Sequence, residues 1–312
     1  MSRSIVLLGA TGTIGRATHA ALIADGHRVL SPVRAATDIP NSVVTPLTAD
    51  ALSALMLTNK CDAVVSCLAS RTGTPAEANA IDRDLNNTAL TAALNAGVTS
   101  FVLLSAICVQ KPKLAFQHAK LSFEAKLRAA PITWSIVRPT AYFKSLSGQR
   151  ERLLAGKPFL VFGNGTLTAC KPIGNTDLAT YLARCLTTPA MQNRVLPVGG
   201  PGPAITPRQQ GEMLCAALGI EPRFKRVPIA LMTAIIGVLT VLGLASKRLR
   251  VKAELARIGR YYATESMLVW DESRQRYDPE MTPEFGTQTL ADHYKDLANA
   301  PPLDDRGAHA VF

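Results

Sequence analysis

The sequence predicts an α/β fold built on a doubly wound parallel sheet, and three observations carry that expectation. Short, continuous apolar runs recur along the first half, each followed by a stretch of helical periodicity. A glycine-rich turn separates the first apolar run from the first helix. At 312 residues the chain is long enough for one large domain of this class, or one domain plus an appendage.

The elements follow in order. Residues 5–8 (IVLL) read as a buried strand, and a helix over 14–25 is closed by Gly26. Residues 28–33 form the second strand and 62–67 (DAVVSC) the next. A helix over 77–96 ends at Gly97. Residues 100–105 (SFVLLS) are a strand, 116–129 a helix, and 133–137 (TWSIV) a strand running into Arg138-Pro139. Later come a helix over 176–187, a strand over 194–198 and a helix over 207–218 that stops at Gly219. Ligands in such sheets lie beyond the carboxyl ends of the strands. The positions to watch are therefore 9–15, Arg34, 67–71, 105–108 and 138–144.

Gly9-Ala10-Thr11-Gly12-Thr13-Ile14-Gly15 has the spacing G-x-x-G-x-x-G. Glycines there allow a tight turn, close approach of backbone to a pyrophosphate, and tight helix–strand packing. The phosphates then sit at a helix N-terminus. Following a strand and opening a helix, this motif reads as a dinucleotide site, and the fold as Rossmann-type with a smaller C-terminal substrate-binding part. Strand two ends in Arg34, where NAD sites carry an acid for the ribose hydroxyls. A guanidinium suits a 2′-phosphate, so the expected cofactor is NADPH. Residues 1–150 are the expected NADP-binding domain. Residues 151–312 are the substrate-binding part, partly packed on that domain and completing it.

The net charge of +11 fits nucleic acid, an anionic membrane surface or anionic small molecules. There is no basic stripe interleaved with aromatics and no nucleic-acid motif, so a phosphorylated cofactor and a carboxylate-bearing substrate are the better match. Six cysteines lack C-x-x-C or zinc spacing and read as buried thiols in a reducing compartment, with no metal site. The N-terminus does not read as a signal peptide, which makes a cytoplasmic location the expectation. The tail over 299–312 is rich in Pro, Gly and charge and reads as loosely held.

The motif GATGTIG is typical of extended and atypical short-chain dehydrogenase/reductases, whose common members carry Tyr-x-x-x-Lys after the fifth strand. Here that stretch is Phe116-Gln117-His118-Ala119-Lys120: the lysine is present and the proton-donating tyrosine is not. Eight longer runs are more specific: VVSCLASRTG, FVLLSAICVQKP, FQHAKLSFEAKL, SIVRPTAYFKSLSGQ, GKPFLVFGNG, ACKPI, LPVGGPGPAITPRQQGEML and IGRYYATESMLVWD. In this order, over about residues 4–290, the chain resembles the NADPH-dependent divinyl chlorophyllide 8-vinyl reductases. The resemblance implies reduction of the 8-vinyl group of divinyl chlorophyllide a to ethyl in (bacterio)chlorophyll biosynthesis.

That resemblance assigns cofactor binding to Gly9, Thr11, Gly12, Thr13, Ile14, Gly15, Arg34, Asp50, Cys67, Leu68, Ala69, Lys120 and Pro139. Lys120 is expected at the nicotinamide ribose, Ser105 as orienting or proton-relaying hydroxyl, and Tyr142 as proton donor or pocket wall. Cys108 or solvent are other proton sources. Phe143, Phe159, Phe162, Tyr261 and Tyr262 are wall residues or ordinary core aromatics. Lys144, Lys171 and Arg260 are anchors for the substrate's propionate. The missing tyrosine also fits a different class, a redox-silent NADP-binding regulator or assembly factor.

The run Ile229 to Ala245 has 17 residues without a charge, short of the ~20 a membrane span needs, and is followed by KRLRVK. A span, a buried helix or pocket lid, and a peripheral membrane-contacting segment over 229–252 all remain open. The last would place a cytoplasmic protein against the photosynthetic membrane.

Overall fold

A computed structural model describes residues 2–300. The strands are β1 (Ser4–Leu8), β2 (Arg28–Val33), β3 (Ser42–Val44), β4 (Ala63–Ser66), β5 (Ser100–Leu104), β6 (Thr133–Pro139), β7 (Phe159–Phe162), β8 (Arg194–Val198), β9 (Phe224–Val227), β10 (Val269–Asp271) and β11 (Arg276–Asp278). Seven of them form one parallel sheet in the order β3-β2-β1-β4-β5-β6-β8. The chain reverses its direction across the sheet between β1 and β4, where a crevice for ligand opens at the strands' carboxyl ends. β7 and β9 make a separate parallel pair, and β10 and β11 an antiparallel one.

Between the strands run α1 (Thr13–Ala24), α2 (Ala49–Thr58), α3 (Pro75–Ala78), a π-helix (Asn79–Leu85), α4 (Asn86–Asn95), α5 (Ala115–Ala129), α6 (Phe143–Leu146), α7 (Arg150–Leu154), α8 (Asn175–Cys185), α9 (Pro207–Ala217), α10 (Ile229–Leu242), α11 (Lys247–Thr264) and α12 (Leu290–Asn299).

Strand alternation explains the layers. Side chains in a strand point to opposite faces in turn. On β1, Ile5 and Leu7 face Leu22 of α1 and Leu178 and Leu182 of α8. Val6 and Leu8 face the other way, onto Leu52 and Met56 of α2, Leu90 of α4, and Phe123 and Leu127 of α5. All four β1 side chains are buried, each contributing about 1.5–3 kcal/mol. A second core joins Phe143, Leu153, Phe159, Leu214 and Tyr294 under α9 and α12.

The first-half elements lie within a residue or two of their expected limits. Two differences stand out. The single helix expected over 77–96 is α3, a π-helix and α4 in succession. The apolar run is not a buried helix: in α10 only Ile236 is buried, and it pairs with α11 as a helical hairpin. No helix among the described residues is long and apolar enough to cross a membrane. The tail expectation concerns residues that, beyond Ala300, lie outside the described ones.

Candidate active site

The glycine turn is tight for reasons its own backbone shows. Gly9 has φ +75°, and a Cβ on it would sit 2.7 Å from the Cys67 carbonyl oxygen, because the ends of β1 and β4 touch there. A Cβ on Gly15 would fall 2.0 Å from the Gly9 carbonyl oxygen, since α1 springs directly off the turn. At Gly12 a Cβ would meet only that same oxygen, at 3.4 Å. Its missing side chain leaves room on the open side, a cradle for a ligand's backbone-hugging phosphates. The first helical bond of α1 is Arg16 N–H to the Gly12 carbonyl, 2.8 Å, so the N–H groups of Thr13, Ile14 and Gly15 precede it without helical acceptors. The first turn of α1 holds no acid, and Lys144 Nζ stands 3.4 Å from Thr13 Oγ1. This end of the crevice fits an anion.

Arg34 is exposed just past β2, and Asp50 is exposed in the first turn of α2. Cys67, Leu68 and Ala69 line the exit of β4, the first two half-buried and Ala69 exposed. Burial pushes the Cys67 thiol up to about 12, although a bond to Thr18 and the nearby Lys120 charge oppose the shift. At physiological pH it is therefore a neutral thiol in the wall, not a thiolate nucleophile.

Across the crevice, α5 carries Lys120 inward. Its Nζ lies 2.9 Å from Asp82 Oδ1, with the lysine side chain 10% exposed and the aspartate 0%. Asp82 comes from the π-helix and also faces the Ser70 N–H, 3.4 Å from each oxygen. The turn that presents it is pinned by Asn86, whose Nδ2 donates to the Ile81 and Asp82 carbonyls and whose Oδ1 accepts from Ser66 Oγ. Lys120 is thus an oriented, buried ammonium rather than a surface lysine. Asp82 was not among the expected site residues, yet a signal existed. Stepping back from Leu90 at helical spacing along the buried face reaches Asn86 and then Asp82, polar residues where apolar ones belong.

Lys120 sits among hydroxyl and thiol groups. Its charge acts on Cys67 and Cys108, which in turn lie near Tyr142 and Tyr262. Tyr142 follows β6, its backbone fixed by a bridge to Ile173. Tyr262 of α11 points its hydroxyl at Cys108 Sγ, 3.9 Å away. Burial raises both phenols above their ordinary value, and the neighbouring thiols push the same way. Ser105 leaves β5 and donates to Glu124 Oε1 at 2.5 Å. Glu124 also takes two hydrogen bonds from Arg138, one of them 3.2 Å from Nε. The Ser105 hydroxyl proton is therefore committed to buried Glu124, itself paired with half-buried Arg138 just before Pro139; Glu124 is another residue that sequence reading did not single out.

The model for NAD(P)H-binding proteins matches residues 9–189, which spans this crevice. Over 333 aligned residues the chain is 44% identical to the chloroplastic divinyl chlorophyllide a 8-vinyl-reductase of Cucumis sativus, covering 99% of this chain and 80% of that protein. The Arabidopsis thaliana protein of the same name is 43% identical over 315 residues, covering 93% and 76%. The chain belongs to the divinyl chlorophyllide a 8-vinyl-reductase family. Among solved structures, the NADPH-bound quinone oxidoreductase QOR2 of Escherichia coli superposes with a TM-score of 0.68 at 18% identity, over 95% of this chain and 100% of that one. At that identity it speaks for the fold alone, an α/β sheet of the NAD(P)-binding kind.

For a vinyl-reductase, the remaining expectations divide sharply. Phe116 stands where the common tyrosine would be and is buried among Ile107, Leu114 and Ile258, so it transfers no proton. Phe143 and Phe159 belong to the second core and do not wall the crevice. Tyr261 spends its hydroxyl on the Cys108 and Lys111 carbonyls, at 2.8 and 3.0 Å. Lys171 is buried and paired with Glu284 at 2.6 Å, which removes it as a substrate anchor. Lys144 stands at the glycine turn rather than near the α11 tyrosines. Arg260 differs: it lines a cavity of about 310 Å³ with Lys113, Ile229, Thr233, Arg257 and Tyr261. Lys113 is paired with Glu265 and Arg257 with Glu254, whereas Arg260 has only the Thr233 hydroxyl, 3.3 Å away, among the described contacts.

Proposed function

We propose that this chain reduces the 8-vinyl group of 3,8-divinyl chlorophyllide a to an ethyl group, with NADPH as reductant. The observation that carries the reading is near full-length identity of 44% to reductases of that name. The crevice agrees with it. A buried lysine is kept while the tyrosine of alcohol–ketone chemistry is replaced by Phe116, as suits an alkene rather than a carbonyl.

When bound, NADPH supplies the hydride that reaches the terminal vinyl carbon. The N-terminus of α1, the space over Gly12 and Lys144 hold its phosphates. Arg34 meets the 2′-phosphate and Asp50 the adenosine side, while Ile14, Leu68, Ala69 and Pro139 form the walls. Lys120, aimed by Asp82, binds the nicotinamide ribose. The charge left after hydride addition spreads into the macrocycle, and Tyr142 delivers the proton that completes the ethyl group. Burial keeps the Tyr142 phenol protonated, and the carbanion left by hydride addition is the strong base that takes its proton. Ser105 acts as a positioning residue, through Glu124 and Arg138. Arg260 receives the propionate in the cavity beside Tyr261. The same reading places the enzyme in the cytoplasm, against the photosynthetic membrane rather than through it.

The decisive experiment is anaerobic incubation of purified protein with divinyl chlorophyllide a and either NADPH or NADH. Product heavier by two hydrogens, with a blue-shifted Soret band and formed preferentially with NADPH, is expected. Unchanged pigment from folded, NADPH-binding protein overturns the assignment and favours the redox-silent alternative.

A further inference from the structure

The hairpin of α10 and α11 has an apolar face on both sides of its first helix. One stripe, Met232, Ile236 and Leu239, turns toward α11. Three arginines of α11 brace the pair: Arg250 to the Gly243 carbonyl, Arg257 to Thr240 and Arg260 to Thr233. The opposite stripe, Leu231, Ile235, Val238 and Leu242, is exposed, Val238 by 59%, and Leu244 at the tip by 81%. A helix facing water carries polar residues there.

Charge selects the occupant. Between Glu221 and Glu254 the chain has no acid. Arg223, Lys225 and Arg226 precede α10, and Lys247, Arg248, Arg250 and Lys252 follow it. All seven are exposed, so cations border the apolar stripe at both ends. Apolar side chains flanked by exposed cations match a bilayer surface carrying anionic lipid, with chains for the stripe and headgroups for the rim.

We infer that α10 lies in the interfacial plane of an anionic bilayer, its outer stripe sunk among the acyl chains and its flanking lysines and arginines on the headgroups. The helix is about 21 Å long, which suits lying on a bilayer and not crossing its ~30 Å core. Ile229 and Thr233, in the first turns of α10, line the cavity that holds Arg260, so the docked helix borders that cavity. The inference deepens the membrane-peripheral location given above by naming its surface and lipid chemistry. Its test does not depend on turnover.

The full chain is sedimented with phosphatidylcholine vesicles and with vesicles of roughly two parts phosphatidylcholine to one part phosphatidylglycerol. Binding is expected to the anionic vesicles only, weakening as salt rises. Val238→Glu with Leu244→Glu lowers the bound fraction roughly tenfold at fixed lipid. Arg248→Glu with Lys252→Glu abolishes the preference for anionic lipid. Both variants keep wild-type circular dichroism and NADPH affinity, which separates lost docking from lost fold. Equal sedimentation of wild type and the apolar-stripe variant overturns the proposal. So does a folded monomer that ignores both vesicle types. A dimer in gel filtration that Val238→Glu disperses also overturns it, and assigns the stripe to a second copy of the chain.

Discussion

Helices α5 and α10 invert the ordinary distribution of side chains in opposite directions. α5 turns Lys120, Glu124 and Gln117 inward among Phe116, Phe123 and Leu127. α10 turns Leu231, Ile235, Val238 and Leu242 out to the surface. A buried charge survives in a fold only if it is paired and hydrogen-bonded, and even then replacing the pair with apolar groups is often neutral or stabilising. Its retention therefore points to use, here at the cofactor crevice. An exposed apolar stripe costs the folded monomer little and points to a partner. The two helices show that function displaces each local rule where a ligand, not the protein, completes the environment.

The largest effects come from breaking the α5 arrangement. Asp82→Ala leaves the Lys120 ammonium unpaired in the interior and should lower stability by about 3–5 kcal/mol in urea unfolding. The double substitution Lys120→Met with Asp82→Leu should restore most of that loss while turnover stays undetectable. If the double variant reduces pigment at the wild-type rate, the pair is structural and the contrast with α10 loses its first term.

Next comes Tyr142→Phe. Stability should hardly change, and kcat should fall roughly a hundredfold, the usual scale for a lost general acid. Tyr262→Phe, its neighbour across Cys108, is the matched control and should fall far less. The pH profile carries the sign. Burial raises the Tyr142 phenol, so its proton-bearing form persists above the ordinary tyrosine range. Accordingly kcat should show no alkaline limb below about pH 10. An alkaline limb near neutrality that vanishes in Tyr142→Phe would mean the phenol is lowered, contrary to its surroundings.

A smaller effect tests the exposed cation of the same crevice. Arg34→Glu should raise KM for NADPH by about tenfold or more and leave KM for NADH unchanged or lower, read from initial rates with each nucleotide. Equal changes for both nucleotides would detach Arg34 from the 2′-phosphate.

The cofactor end was legible in the sequence because backbone demands wrote it there. Gly9 and Gly15 are required by contacts that no side chain could share, and the apolar runs of β1, β4 and β5 fix where the strands end. Lys120 was legible as part of a spaced pair, whereas Asp82 showed only as a polar residue at a buried helical position, and its pairing with Lys120 on another helix is met only in three dimensions. The same holds for Ser105, read as an orienting or proton-relaying hydroxyl and found donating to Glu124. For Phe143 and Phe159 the sequence left pocket wall and ordinary core aromatic open, and a second core takes both. The apolar run of 229–245 was visible at once, yet its burial was not, because hydrophobicity gives no direction until the α11 face that covers one side is known. The three-residue β3 at the sheet edge, next to Asn41 at φ +54°, carried too little pattern to be read at all.

The smallest expected effect sharpens the contrast most. Val238→Ser with Leu242→Ser removes apolar surface that already faces outward, so each change should alter unfolding free energy by no more than about 0.5 kcal/mol. Ile236→Ala, one turn away on the α11 side, removes buried surface and should cost about 2 kcal/mol or more. The comparison needs only thermal or urea unfolding of three proteins in lipid-free buffer. A negligible cost for the outer stripe means that stability gives no reason to keep those residues apolar, which leaves association as the reason. A cost equal to that of Ile236→Ala, growing with protein concentration, means the stripe is already covered in solution, by another copy of the chain. In that case α10 and α5 no longer differ in kind, because both bury what they carry.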